Sequence, residues 1–355
     1  MMTKKGITFA VIALTLALGQ TALQAQRRNN DREQAQAAAA AAPLGPVATS
    51  QPELDAFQAL TKETVPANKL TLADAFLAKY PMSEMVGWIH RFRMEALGQQ
   101  RKYPEAIAAA ESGLAAEIKF MEGMIAKADA DAKVDPRKRD KNAPPLIDKN
   151  SDAFKKFAAD TEKAMMYYYQ NIMNNYQQLN DAPKLIEYGE RALGQDPEDL
   201  FTLLTLSGVL SERPPTEAKA LETQMKRAEE LAKQALQKVT AIPESAQKAG
   251  LLSTINQTIG LAYLHQKKFG DSQKSYLAAI ASKKDDPISY MRLGIAYVGE
   301  QKVDPALDAL AKSVYLKGFA EAQARELLTQ VYQAKNKSLD GMDQFIQAAG
   351  QKIGQ

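Results

Sequence analysis

The chain has 355 residues, of which 45% are hydrophobic and 25% charged, with a formal net charge of +3 and no cysteine. The lack of cysteine excludes disulfides, thiolate metal sites, cysteine nucleophiles and a lipid-modified N-terminal cysteine. Lys4 and Lys5 lie in a segment expected to be removed, which leaves a mature chain near +1, too balanced to imply a nucleic-acid or acidic-membrane partner.

Residues 1–25 read as a secretory signal. Lys4 and Lys5 form the positive n-region, Ile7 to Leu18 form the apolar run, and small and polar residues lead to Ala25. The run is shorter than the roughly 20 apolar residues that span a bilayer comfortably. The expected location is therefore periplasmic or secreted, with no membrane span after cleavage. Residues 26–52, with the alanine run Ala37 to Ala42 and then Pro43, Gly45 and Pro46, keep no apolar period and read as a disordered linker.

A helical period begins near Leu54, and residues 53–126 are expected to form helix pairs. Leu70, Ala73, Phe76 and Leu77 share one face, which ends at the turn Lys79-Tyr80-Pro81. Pro104 suits the first turn of a following helix, where its missing N–H is no loss. Residues 127–152 interrupt the period with a charged insertion that includes Arg137-Lys138-Arg139 and Pro144-Pro145. No aromatic side chain interleaves these charges, so an exposed loop is expected rather than a nucleic-acid patch.

Residues 153–355 resume the pattern as the main array. Asp196-Pro197 ends one unit, because proline cannot continue a helix. Arg213-Pro214-Pro215 breaks the next unit, and residues 340–353 read as a capping helix.

The strongest signal lies in residues 253–318, where two copies of one unit are offset by 34 residues. Gly260 recurs as Gly294, Ala262 as Ala296, Tyr263 as Tyr297, Ile259 as Leu293, and Tyr276 as Leu310. Small residues at Ser272 and Ala279, matched by Ala306 and Ser313, complete the pattern. In this the chain resembles the tetratricopeptide repeat family, whose unit is two antiparallel helices in about 34 residues. The phrase FLAKYP at 76–81 is similar to joins between repeats in exported bacterial members. The resemblance implies an all-α, right-handed superhelical solenoid of six to seven helix pairs.

It also implies a non-catalytic scaffold or adaptor of the cell envelope, binding a peptide or partner protein in a concave groove. In the family, positions 2, 5, 9 and 12 of the first helix line that groove. Carried over, these are Tyr167, Gln170, Asn174 and Gln177 in one unit. Thr254, Gln257, Leu261 and Leu264 follow in the next. Ile288, Met291, Ile295 and Val298 come last, while Trp88, Arg91 and Glu95 belong to an N-terminal unit. The expected partner-binding residues are Tyr167, Gln170, Asn174, Gln177, Gln257, Leu261 and Met291, because side-chain amides pair with both N–H and C=O of an extended peptide. The carboxylate clamp of some members is not supported. Asn174 fits it, but Gln170, Thr205, Thr254 and Thr258 replace the residues it needs.

No constellation for catalysis is present. There is no HExxH, G-x-S-x-G, P-loop or dinucleotide glycine motif, and His90 and His265, the two histidines, lie on different units. No cofactor or metal is expected. An apolar C-terminal groove is compatible with a homo-oligomer seam or with cover by the capping helix. Alternatives are an envelope-assembly factor, in outer-membrane protein insertion or cell-wall and division coordination, and a carbohydrate-binding or hydrolytic protein whose site is formed by the fold.

Overall fold

The computed structural model describes residues 44–135 and 145–353. The signal, the linker as far as Pro43, and the basic run Arg137 to Lys141 lie outside the described residues.

Fourteen helices follow one another among the described residues, with no strand. They are α1 Gln51–Lys62, α2 Pro66–Lys79, α3 Val86–Gln99, α4 Tyr103–Asp131, α5 Asp152–Gln178, α6 Ala182–Gln195 and α7 Leu200–Glu212. Then come α8 Ala218–Thr240, α9 Ala246–His265, α10 Phe269–Ser282, α11 Pro287–Gly299, α12 Val303–Leu316, α13 Glu321–Asn336 and α14 Met342–Gly350. Each helix packs chiefly on its neighbours in the chain, except α14, which folds back onto α12. The expected all-α solenoid of helix pairs is what the chain forms.

Local chemistry sets the helix ends. Ser50, Ser151, Asp181, Asp199, Glu217, Ser245 and Asp286 cap α1, α5, α6, α7, α8, α9 and α11, each side chain accepting an orphan backbone N–H of the first turn. The turn inside four of the pairs is equally regular. Arg101, Asn180, Lys267 and Gln301 all take positive φ, between 54° and 60°. The next N–H in each case bonds back to a carbonyl one turn earlier: Lys102 to Leu97, Asp181 to Tyr176, Lys268 to Tyr263 and Lys302 to Tyr297. This is the Schellman closure. Only Asn180 is a residue type that readily adopts that backbone region, so the recurrence is a property of the repeat. At α7–α8 the turn differs, because Arg213-Pro214-Pro215 occupies it and Arg213 has φ of −123°.

Small residues let the paired helices approach. An ideal Cβ on Gly260 would sit 3.0 Å from the Tyr276 ring, and one on Gly294 would sit 2.6 Å from Leu310. Ser272 donates its hydroxyl to the Gly260 carbonyl at 2.9 Å, stitching the two helices of that pair. The core is a succession of clusters rather than one centre. Leu60, Phe76 and Ile89 make the first, Met94, Tyr168 and Ile172 another, Leu203, Leu231 and Ile259 the next, and Leu310, Leu328 and Ile346 the last. Each unit therefore buries its apolar face against its neighbours, as a solenoid requires.

Two successive helices depart furthest from the pattern. α4 and α5 have 29 and 27 residues against 14 each for α10 and α12. The helical period continues through Lys127 to Asp131, beyond the expected interruption, so the two helices extend as an arm past their neighbours. Ala128, Ile147, Phe154 and Phe157 form the arm's own core. At its far end the Ile147 N–H donates to Asp131 Oδ2 at 2.8 Å.

Candidate functional site: the face of the first helices

Four residues of α5 spaced by three or four share one helical face. Their environments differ. Tyr167 is half-buried and takes part in a cluster with α3. The Arg91 guanidinium lies 4.2 Å from the Tyr167 ring centroid and 5.6 Å from that of Trp88. Glu95 closes the cluster, accepting from Arg91 Nε at 3.0 Å and from the Tyr167 hydroxyl at 2.8 Å. Burial opposes the charge on Arg91, but the Glu95 bond and the neighbouring tyrosines outweigh it and hold its pKa above the ordinary value. Burial, aided by Glu95, raises the Tyr167 phenol in turn. The cation is locked, and Trp88, 41% exposed, presents its ring to solvent beside it.

Gln170 is engaged within the protein. Its Nε2 donates to Asp199 Oδ1 at 3.1 Å, while Asp199 Oδ2 caps α7 through the Thr202 N–H at 2.8 Å. Gln257, at the equivalent position of α9, does the same. Its Nε2 donates to Asp286 Oδ2 at 3.1 Å, and that oxygen caps α11 through the Ser289 N–H at 2.7 Å. Both amides bridge 29 residues to the next first helix. They tie one unit to the cap of the next, so the structure gives them a stabilising task. Gln257→Ala should lower unfolding free energy by about 0.5–1.5 kcal/mol through the lost bond. Denaturant titration measures it, and an unchanged midpoint would show that the link contributes nothing.

Asn174 and Gln177 are exposed. Gln177 borders an open cleft of about 370 Å³ between α5, α6 and α7, whose apolar floor is Tyr176, Leu185, Leu204 and Val209. Gly208 also lines it, and a Cβ there would meet nothing within 4 Å. Leu261 and Met291 are elsewhere. They are 5% and 6% exposed, and Met291 belongs to the C-terminal core with Leu310 and Leu328. The resemblance placed both in the groove, but both are buried, so they are not presented to a partner there. Ile288 and Ile295 are also partly buried against that cluster, whereas Val298 remains 43% exposed.

Two residues absent from the sequence expectation span this face. Arg292 of α11 donates through Nη2 to both carboxylate oxygens of Glu212, at 2.7 and 3.0 Å, over a separation of 80 residues. The bridge joins α11 to the end of α7 across the whole intervening α9–α10 unit. His265 lies near it, its pKa lowered by burial and by the Arg292 charge. Nothing in the local pattern pairs two such residues two units apart.

Among the described residues no group of three or more His, Asp or Glu side chains could hold a metal ion, and no described helix is long and apolar enough to cross a membrane. His90 is half-buried with Nδ1 unpartnered, its pKa lowered by burial. It stands apart from His265.

No family model and no characterised protein matches the chain. Similar solved structures include a thermophilic TPR protein from Thermus thermophilus, 15% identical with a TM-score of 0.37, covering 50% of this chain and 94% of that one. The C-terminal part of a TPR repeat-containing protein from Cytophaga hutchinsonii is 12% identical with a TM-score of 0.45, covering 85% and 92%. Yeast Tom70 is 12% identical with a TM-score of 0.30, covering 81% of this chain and 62% of that one. These likenesses are too distant to carry a function. The chain's own offset of 34 residues, its Schellman turns and its close approaches at Gly260 and Gly294 define a solenoid of repeated antiparallel helix pairs.

Proposed function

We propose that this protein is a non-catalytic interaction scaffold of the cell envelope, and that an extended segment of a partner protein binds along the exposed face of α5 and α7. The observation that carries the reading is the cleft beside Gln177. It combines an apolar floor with the exposed amide of Gln177 at its rim, and Asn174 is exposed one helical turn earlier on the same face of α5. Amide side chains there can pair with a peptide backbone while Tyr176 and Leu204 receive a side chain. Gln170 and Gln257 are assigned to holding the units in register instead.

The test is the Asn174→Ala, Gln177→Ala double variant, read by thermal midpoint and by recovery of crosslinked partners from intact cells. Each lost hydrogen bond to a buried partner group should weaken binding by about 1–3 kcal/mol, while the midpoint stays put because both side chains are solvated. Unchanged partner recovery would assign the amides to solvation alone.

The envelope location rests on Lys4, Lys5 and the apolar run Ile7 to Leu18. The mature N-terminus is expected at Gln26 or within a few residues of it. N-terminal sequencing of the protein from the envelope fraction checks this, and an intact Met1 there would convert the signal into an anchor.

A further inference from the structure

The arm formed by α4 and α5 creates a surface that a solenoid of ordinary helix pairs would lack. Where α4 passes the turn between α2 and α3, the two leave a cleft of about 420 Å³. Its apolar lining comes from Met82 and Val86 on one side and from Phe120 and Met124 of the arm on the other. Met82 is 86% exposed at the rim, although the segment around it is tied down. The Ser83 N–H bonds the Tyr80 carbonyl, and the Met85 N–H bonds the Ser83 hydroxyl. Gly123 opens the arm wall, since a Cβ there would meet nothing within 4 Å. An apolar cleft this open, with flexible methionines on both walls, suits side chains delivered from outside.

The charges around the cleft say which side chains. Lys119 and Lys127 both stand on the arm wall, two helical turns apart. The acid on the opposite rim, Glu84, is already accepting the Val47 N–H at 3.1 Å. The rim therefore favours negative charge on an incoming chain. The protein's own remaining segments do not fit: residues 1–25 carry the aliphatic run Ile7 to Leu18, but their charges, Lys4 and Lys5, have the sign of the arm's lysines. Residues 26–43 carry Arg27, Arg28 and Arg32 against Asp31 and Glu33, with no side chain larger than alanine or proline among the apolar ones. Residues 136–144 carry three basic residues in a row, again without an aliphatic anchor.

We propose that this cleft is a second protein-docking site, separate from the α5–α7 face, and that its occupant is a partner segment presenting a few aliphatic side chains beside acidic ones. The aliphatic groups enter between Met82 and Met124, and the acids meet Lys119 and Lys127. The inference does not depend on the reading of the α5–α7 face, and the two can fail separately.

The test is selection of a random-peptide phage library on the full immobilised chain. The strongest binder is then synthesised and titrated by fluorescence anisotropy. Selected peptides should combine Leu, Ile or Met with Asp or Glu. Met82→Glu, and separately Lys119→Glu with Lys127→Glu, should each weaken the synthetic peptide about tenfold or more. Added salt should weaken it further for the wild type than for the lysine variant. Thermal midpoints should be unchanged, because Met82 is exposed and the lysines lie at the rim. The Asn174→Ala, Gln177→Ala variant should bind it as the wild type does. Four results overturn the proposal. They are selected peptides without acidic residues, affinities indifferent to the cleft variants, loss confined to the Asn174 variant, or self-association of the chain that Met82→Glu abolishes.

Discussion

Tyr168→Ala is expected to lower unfolding free energy by about 3–5 kcal/mol, the range for removing a fully buried large aromatic side chain. Tyr168 is 1% exposed, and three helices meet on it. Its ring fills the space above Gly113 of α4, where an ideal Cβ would fall 2.4 Å away, and its hydroxyl donates to the Gly87 carbonyl of α3 at 2.6 Å. Burial raises the phenol pKa far above its ordinary value, so the group remains a neutral donor at any physiological pH. Tyr168→Phe separates the two contributions. It keeps the ring and removes one neutral bond, and should cost about 0.5–1.5 kcal/mol, more if the Gly87 carbonyl finds no substitute donor. Denaturant midpoints of the two variants are the measurement. Equal small shifts would mean that α3, α4 and α5 do not converge as described. In a solenoid, contacts run between neighbours, so amide exchange should show the loss of protection centred on those three helices.

Gly294→Val should destabilise by about 1–3 kcal/mol through overpacking. The added Cβ would lie 2.6 Å from Leu310 Cγ and 2.8 Å from its Cδ2, and Leu310 is completely buried with nowhere to go. The companion change is Gly250→Ala in α9. That glycine is exposed and helical, and a Cβ there meets nothing within 4 Å. Alanine should stabilise by about 0.5–1 kcal/mol, from helix propensity and a less flexible unfolded chain. Thermal unfolding of the pair distinguishes close helix approach from simple glycine flexibility. Two shifts of the same sign would remove the argument for repeat packing at Gly294.

The offset of Gly260 and Gly294 was legible because a small residue is required wherever two helix axes come close, and that requirement recurs once per unit. The amide row was legible only in part. Gln170, Asn174 and Gln177 do share a face, but whether an amide on that face awaits a partner depends on what the next unit places opposite. Asp199 stands opposite Gln170 and Asp286 opposite Gln257. In both cases the aspartate is also a helix cap, so an Asp at a unit boundary that follows an amide by 29 residues was an available signal. Leu261 and Met291 show the same limit from the apolar side, since a leucine in a groove and a leucine in a seam have one sequence pattern.

By itself, the sequence determined what local periodicity can encode: helix after helix, the turns between them, the packed face of each, and the spacing of the units. Those properties follow from groups within about one repeat of each other, where the chain's own geometry sets the distance. Only the tertiary structure decided which polar groups are spent on the solenoid and which remain for a partner. The Tyr167–Glu95 bond of the Arg91 cluster spans 72 residues and the Arg292–Glu212 bridge spans 80. Such pairs depend on the accumulated rotation from one unit to the next. The arm was likewise decided by packing. Phe120, Phe154 and Phe157 bury one another there, so α4 and α5 continue past the length that their repeat needs.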